Sequence, residues 1–246
     1  MRAVLATYLR ELRAYFFSPL AWVVLFFFLL INGFIFAMIV SFLNDPRAPG
    51  GPPLELFFGG TLFFWLTLLF LGPVLTMRLL SEELRSGSIE VLMTAPVTEG
   101  EVVAGKYLAA LTFYLFLWLP TLAYAGIIAY HSEVDWGPVA AGYLGILGIG
   151  ALFLAIGLFA SAMTKSQLVA AIVTFALLIL LFSFGLLENL LSSETAKTVF
   201  GYLNLWSHMD EFARGVVDSR RLVYYLSATL FFLFLTSRAL EARKWR

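Results

Sequence analysis

The run Gly100-Glu101-Val102-Val103-Ala104-Gly105-Lys106 has the spacing G-x-x-x-x-G-K, which opens loops that cradle nucleotide phosphates. Such a loop needs Ser or Thr next, to reach magnesium, and a strand before it. Here Tyr107 follows and the run leads into a long apolar stretch, so no nucleotide is expected, and Lys106 reads as an anchor at the membrane interface. Hydrolytic or metal chemistry has little to draw on. The only histidines, His131 and His208, both fall between apolar runs; His131, Glu133 and Asp135 sit close together but read as a solvated loop. There is no cysteine, so thiol chemistry and disulfides are excluded. No catalytic residue, cofactor site or metal site is expected in this chain.

One polar segment is dense enough to recognise something. Residues 80–105 carry Glu82, Glu83, Arg85, Glu90, Glu99 and Glu101, with turn signals at Ser86-Gly87 and Ala95-Pro96. Between the turns, Ile89, Leu92 and Met93 share one face of a short helix and Glu90 lies off it. An apolar face with acidic neighbours suits docking into a groove on a partner protein. A helix resting on lipid is the competing reading, against which the acidic content argues, because the anionic inner leaflet would repel it. Thr98 precedes Glu101 by three residues, the spacing of a capping box that starts the next helix.

The elements that hold this segment are apolar runs at 20–42, 57–77, 107–130, 136–164, 167–187 and 222–237 (238 with its closing arginine), and none of the six contains Asp, Glu, Lys or Arg before that residue. A bilayer core of about 30 Å takes roughly 20 helical residues to cross. The expectation is an all-α polytopic membrane protein, one transmembrane domain over 1–246. The composition agrees: 61% hydrophobic, 13% charged, and zero net charge, which implies no nucleic-acid partner. Carriers driven by ions keep ionisable groups inside their spans; these spans have none, so energy or control must come from outside the membrane.

Lys and Arg set the orientation. With both ends on one side, eleven of the sixteen basic residues share that side and five lie opposite, so both termini are expected to be cytoplasmic. The external cluster Arg214, Arg220 and Arg221 is offset by Asp210, Glu211 and Asp218. Residues 2–16 form an amphipathic helix, with Val4, Tyr8, Leu12 and Tyr15 inside one apolar arc and Arg2, Arg10 and Arg13 on the other side. It should lie in the cytoplasmic interface; a plain extension of the first span is the alternative. Ser18-Pro19 ends it, and Gly72-Pro73 should kink the second span. Gly142, Gly145, Gly148 and Ala151 form a small-residue stripe for close packing within the subunit. Residues 188–221, a partly apolar external segment, read as one or two short helices dipping into the outer interface, with a surface loop as the alternative.

Two stretches resemble a known family. Glu82-Glu83, Gly87-Ser88-Ile89-Glu90, Leu92, Ala95-Pro96-Val97 and Gly105-Lys106 are similar to the loop after the second span of ABC-2 type exporter permeases. Residues 213–227, including Arg214-Gly215-Val216-Val217-Asp218 and Tyr224-Tyr225, resemble the gliding-motility-associated (GldF-like) branch of those permeases. The resemblance implies a permease subunit without its own ATPase site, in the bacterial inner (cytoplasmic) membrane. It implies two cytoplasmic ATPase subunits that bind ATP and Mg, and a second permease, either a copy or a different chain. A further membrane protein with a large external domain is often a partner in that branch. It makes about 85–93 the coupling helix and 2–16 the connecting helix beside it. The ATPase-coupling residues implied are Glu82, Glu83, Arg85, Gly87, Ser88, Ile89, Glu90, Leu92, Met93 and Pro96. A passive channel or membrane scaffold is the alternative reading, and an intramembrane enzyme a more distant one. A channel would show charged rings or a filter sequence; the spans offer only Asn32 and scattered hydroxyls such as Thr67, Thr76, Ser161 and Thr174.

Overall fold

The computed structural model describes residues 2–47, 51–88, 97–190 and 194–244. Among them there is no strand. The helices are α1 (Arg2–Phe16), α2 (Pro19–Leu43), α3 (Pro53–Phe57), α4 (Leu62–Thr76), α5 (Ser81–Ser86), α6 (Glu99–Trp118), α7 (Leu122–His131), α8 (Trp136–Met163), α9 (Gln167–Leu190), α10 (Glu194–Leu203), α11 (Leu205–Ala213) and α12 (Ser219–Lys244). Six stretches are long and apolar enough to cross a membrane: α2, α4 with α5, α6 with α7, α8, α9 to Gly185, and α12. The molecule is a polytopic all-α membrane protein, as its apolar runs require. The helices overrun those runs at polar ends; α6, for instance, starts at Glu99 because Thr98 and Glu101 form the capping box, Thr98 accepting from the Glu101 N–H at 3.3 Å.

Helix α1 and the last turn of α12 lie at one end of the bundle, where Arg10 reaches Glu83, the Leu80 N–H reaches Ser161 near the end of α8, and the Arg243 guanidinium donates to the Met163 carbonyl at 3.1 Å. This is the termini end; the other is the far end. Helix α8 forms the axis and is the most enclosed of the six spans. The expected stripe on it receives aromatic rings of the same chain rather than neighbouring backbones: Phe58 at Gly142, Phe212 at Gly145 and Tyr225 at Gly148. At Gly157 a Cβ would stand 2.0 Å from the Thr76 hydroxyl, so only glycine admits α4 there.

The second span is broken, not merely bent. One turn past Pro73 the chain leaves α-helical geometry at 77–80 and resumes as α5. Proline removes an N–H and crowds the preceding turn, and backbone groups freed inside a membrane protein need partners. Ser161 of α8 supplies them. Its hydroxyl accepts from the N–H groups of Leu80 (3.1 Å) and Ser81 (3.0 Å) and donates to the Met77 carbonyl (3.2 Å). The Ser81 hydroxyl also donates to Met77. Ser161 thereby uses its one donor and both acceptor sites.

At the far end, residues 188–221 hold two helices, and α11 is built into the body rather than laid on its surface. Leu205, His208, Met209 and Phe212 are buried, and the Trp206 ring packs at a 40° tilt against Trp65 and Phe182, with centroids 5.0 and 4.8 Å away. His208, expected in an external loop, is fully enclosed, with its Nδ1 3.0 Å from the Tyr225 hydroxyl.

Candidate coupling site

Three elements meet at the termini end: α1, α5 and the start of α6. Helix α1 lies along α6. Gly105 makes this possible, since a Cβ there would stand 2.8 Å from Thr7 Cβ and 3.0 Å from the Val4 carbonyl. Aromatic packing continues the seam: Tyr15 stacks on Phe113 at 4.9 Å, and Phe16 packs edge-on against Phe113 and Phe116. The Tyr15 hydroxyl donates to the Leu75 carbonyl at 2.6 Å, tying α1 to the end of α4. The chain then turns at Ser18, which is extended, and Pro19 opens α2; α1 is a separate helix and not an extension of the first span.

Inside this junction four charges alternate. The Lys106 ammonium, 1% exposed, stands 2.9 Å from Glu11 Oε1 and 2.9 Å from Glu83 Oε1. The Arg10 guanidinium reaches the same two oxygens, at 2.7 Å and 2.8 Å. Lys106 is therefore not an interfacial anchor. The expectation fails because the glycine before it brings α1 over the ammonium, and two carboxylates replace the water it would otherwise reach. Burial alone would push the Glu11 carboxyl up, but the Lys106 ammonium and the hydrogen bonds from Lys106 and Arg10 outweigh it and hold Glu11 below the ordinary carboxylate range. Burial works against the Arg10 charge as well, and Glu11 and Glu83 more than offset it, raising its pKa.

The sequence-predicted site residues divide. Glu83 joins the cluster, and so does Arg10. Glu82 pairs with Arg78 at 3.4 Å on the exposed side of α5. Arg85 is exposed, and Gly87 caps α5 in the left-handed region with φ of 73°. The Ser88 hydroxyl lies 2.9 Å from that of Ser86. Arg2 and Arg13 of α1 are exposed and outside the cluster. Ile89, Glu90, Leu92, Met93 and Pro96 lie outside the described residues. Sequence reasoning missed Glu11 and Lys106. The signals were present: Glu11 falls between Tyr8 and Tyr15 at helical spacing, a carboxylate at the edge of an apolar arc, and Lys106 follows a glycine on the opposing helix.

The junction thus closes the base of the connection 87–98. Glu83 on one side and Lys106 on the other are held together, and α1 is clamped to both. Such an arrangement ties α1, α5 and α6 together, and the G-x-x-x-x-G-K run is wound into α6 with its lysine engaged by carboxylates.

Six spans around a glycine-lined axis, with a charge cluster at the termini end, define a polytopic all-α membrane protein. Residues 52–207, more than half the chain, match the family described as ABC-2 family transporter protein, and the chain belongs to that family. No curated protein matches it.

Proposed function

We propose that this chain is the membrane-spanning permease subunit of an ATP-driven exporter or force-transmitting machine, in which separate ATPase subunits press on the connection 87–98. The observation that carries this reading is the clasp of Lys106 and Arg10 on Glu11 and Glu83. It makes α1, α5 and α6 one mechanical unit, so a push on the loop is delivered to spans two and three and to the helix leading into span one. Coupling by a local hinge would need no such buried alternation, whose desolvation cost the ion pairs must offset.

On this reading the termini end is cytoplasmic, in keeping with the excess of Lys and Arg on that side, and the membrane is a bacterial inner membrane. ATP and Mg belong to the partner ATPases, two per complex. The loop helix of about 85–93 enters the ATPase groove through Ile89, Leu92 and Met93, with Glu90 facing basic groups. A second permease, a copy or a different chain, completes the pathway. The likeness of 213–227 to the gliding-motility-associated branch extends the proposal to an accessory membrane protein with a large external domain. That segment packs at the far end, where Arg221 grips Glu211 through two bonds of 3.0 and 2.9 Å and Arg214 pairs with Asp210 and Glu55.

The experiment is gentle purification of the tagged chain from its native host, with mass spectrometry of what accompanies it. A stoichiometric polypeptide with a phosphate-binding loop supports the reading; a homo-oligomer alone after mild handling rejects it.

A further inference from the structure

Two cavities at the edge of α2 run into each other. One sits at the termini end between α1, α2 and the α4–α5 break, and its wall includes Tyr15, Ser18, Arg78 and Glu82. The other is a groove between α2 and α4, lined by apolar side chains save for Thr67, with Phe27, Leu30, Phe63 and Phe70 among them. Val24 and Val74 line both, so the two form one cleft with a polar mouth and an apolar gutter. From Val23 to Ile35 the gutter follows α2 for about 18 Å at the helical rise, slightly more than the roughly 15 Å depth of one leaflet's hydrocarbon. Helices α2 and α4 touch only sparingly, and Phe27, Leu30 and Phe70 remain more than half exposed, so the cleft is open sideways toward lipid.

The mouth carries a cation with capacity to spare. Arg78 is bound by Glu82 through Nε at 3.4 Å, and among the described residues its terminal amino groups make no hydrogen bond or ion pair. A guanidinium with free terminal donors recognises a phosphate oxygen pair. Beside it Glu82, nearly half exposed, is available to an ammonium. We propose that this cleft is a binding site for a glycerophospholipid-like amphiphile of the inner leaflet, its phosphate on Arg78 and one acyl chain in the α2–α4 gutter. Resting on the permease reading, the site assigns the cargo class: a phosphate-bearing lipid taken sideways from the membrane, next to the clasp that answers the ATPase. A second copy of the chain is the other possible occupant of the gutter, but its apolar face offers nothing for Arg78 and Glu82 at the mouth.

The test uses the purified complex in nanodiscs containing phosphatidylethanolamine and phosphatidylglycerol, doped with a phospholipid that carries a diazirine near the end of one acyl chain. After photolysis, mass spectrometry maps the adducts. They are expected on Phe27, Leu30, Phe63 and Phe70, several-fold above the lipid-facing sides of α9 and α12. Arg78→Gln, at an exposed side chain, is expected to cut the groove adducts about tenfold, as loss of a partly solvated charged hydrogen-bond pair does. A diazirine fatty alcohol without phosphate should show no enrichment, and free inorganic phosphate should not compete. Even labelling around all spans, equal yield in Arg78→Gln, or copy-to-copy crosslinks through Phe27 and Phe70 that exclude the probe would overturn the site. Co-purification of the ATPase, scored on the same wild-type sample, reports separately on the permease reading.

Discussion

Glu83 and Lys106 stand on opposite sides of the longest connection at the termini end, yet their carboxylate and ammonium are 2.9 Å apart, with the lysine almost wholly enclosed. The described chain on the two sides of that connection is therefore pinned together. Removing one partner of an isolated buried pair costs about 3–5 kcal/mol; here Arg10 stays on both carboxylates, so loss of Lys106 should cost less than that.

Lys106→Met should leave Glu11 and Glu83 to the half-exposed Arg10 guanidinium alone and loosen α1 from α6. The expected result is a clear fall in the thermal midpoint of the detergent-purified protein and faster hydrogen exchange across 2–16. Lys106→Arg should recover much of the loss. Exchange unchanged in Lys106→Met would show that the clasp holds nothing.

The clasp also sets an acid limit. Glu11 is held below the ordinary carboxylate value, so its contribution is fully present above that value and is lost as pH falls through the depressed one. Hydrogen exchange in α1 should stay slow from neutral pH down past the ordinary carboxylate range and rise only below it. Protection already lost near pH 6 would contradict this. In Glu11→Gln the acid-dependent rise should disappear.

At the far end the sign comes from a base. Burial, with the Arg221 charge second, pushes the His208 imidazole down to about 4. Around it stand Glu211, Asp218, Arg221, Tyr224 and Tyr225. A histidine kept neutral by folding gives stability that is complete above its ordinary value of 6.5 and is lost as pH falls from there to about 4. The full window amounts to about 3 kcal/mol. The wild-type midpoint should fall across that window, and His208→Phe should be flat through it, at a lower starting stability because the Tyr225 bond is gone.

Ser161→Ala should strand the Leu80 and Ser81 N–H groups at the break in span two, while the Met77 carbonyl keeps the Ser81 hydroxyl. Each buried polar group left unsatisfied costs about 1–3 kcal/mol. The predicted signature is local: the Leu80 and Ser81 amides exchange faster, while those in the middle of α8 do not. Uniform acceleration along α8 would place the damage elsewhere.

Much of the fold was legible because long apolar runs leave a helix no alternative in lipid. Thr98 and Glu101 announced the start of α6, and Ser18-Pro19 the turn into α2. The break at 77–80 was half visible: Gly72-Pro73 gave its location, but that the chain could stop being helical depended on Ser161, whose role no local pattern marks. The buried cluster was hidden for the same reason. Lys106 beside a membrane run looks like an anchor until the partner helix that Gly105 admits is known, and a one-dimensional pattern does not pair α1 with α6. His208 likewise looked like a loop residue because the rings that enclose it, Tyr224 and Tyr225, come from α12.

The measurement that tests the central claim most directly compares the wild-type chain with Ile89→Asp, each tagged in the native host and purified gently, by mass spectrometry of the bound polypeptides. The account predicts a stoichiometric ATPase subunit with the wild type, its loss from Ile89→Asp, and an unchanged thermal midpoint of the six-span body. An Ile89→Asp protein that retains the full complement of ATPase would contradict it.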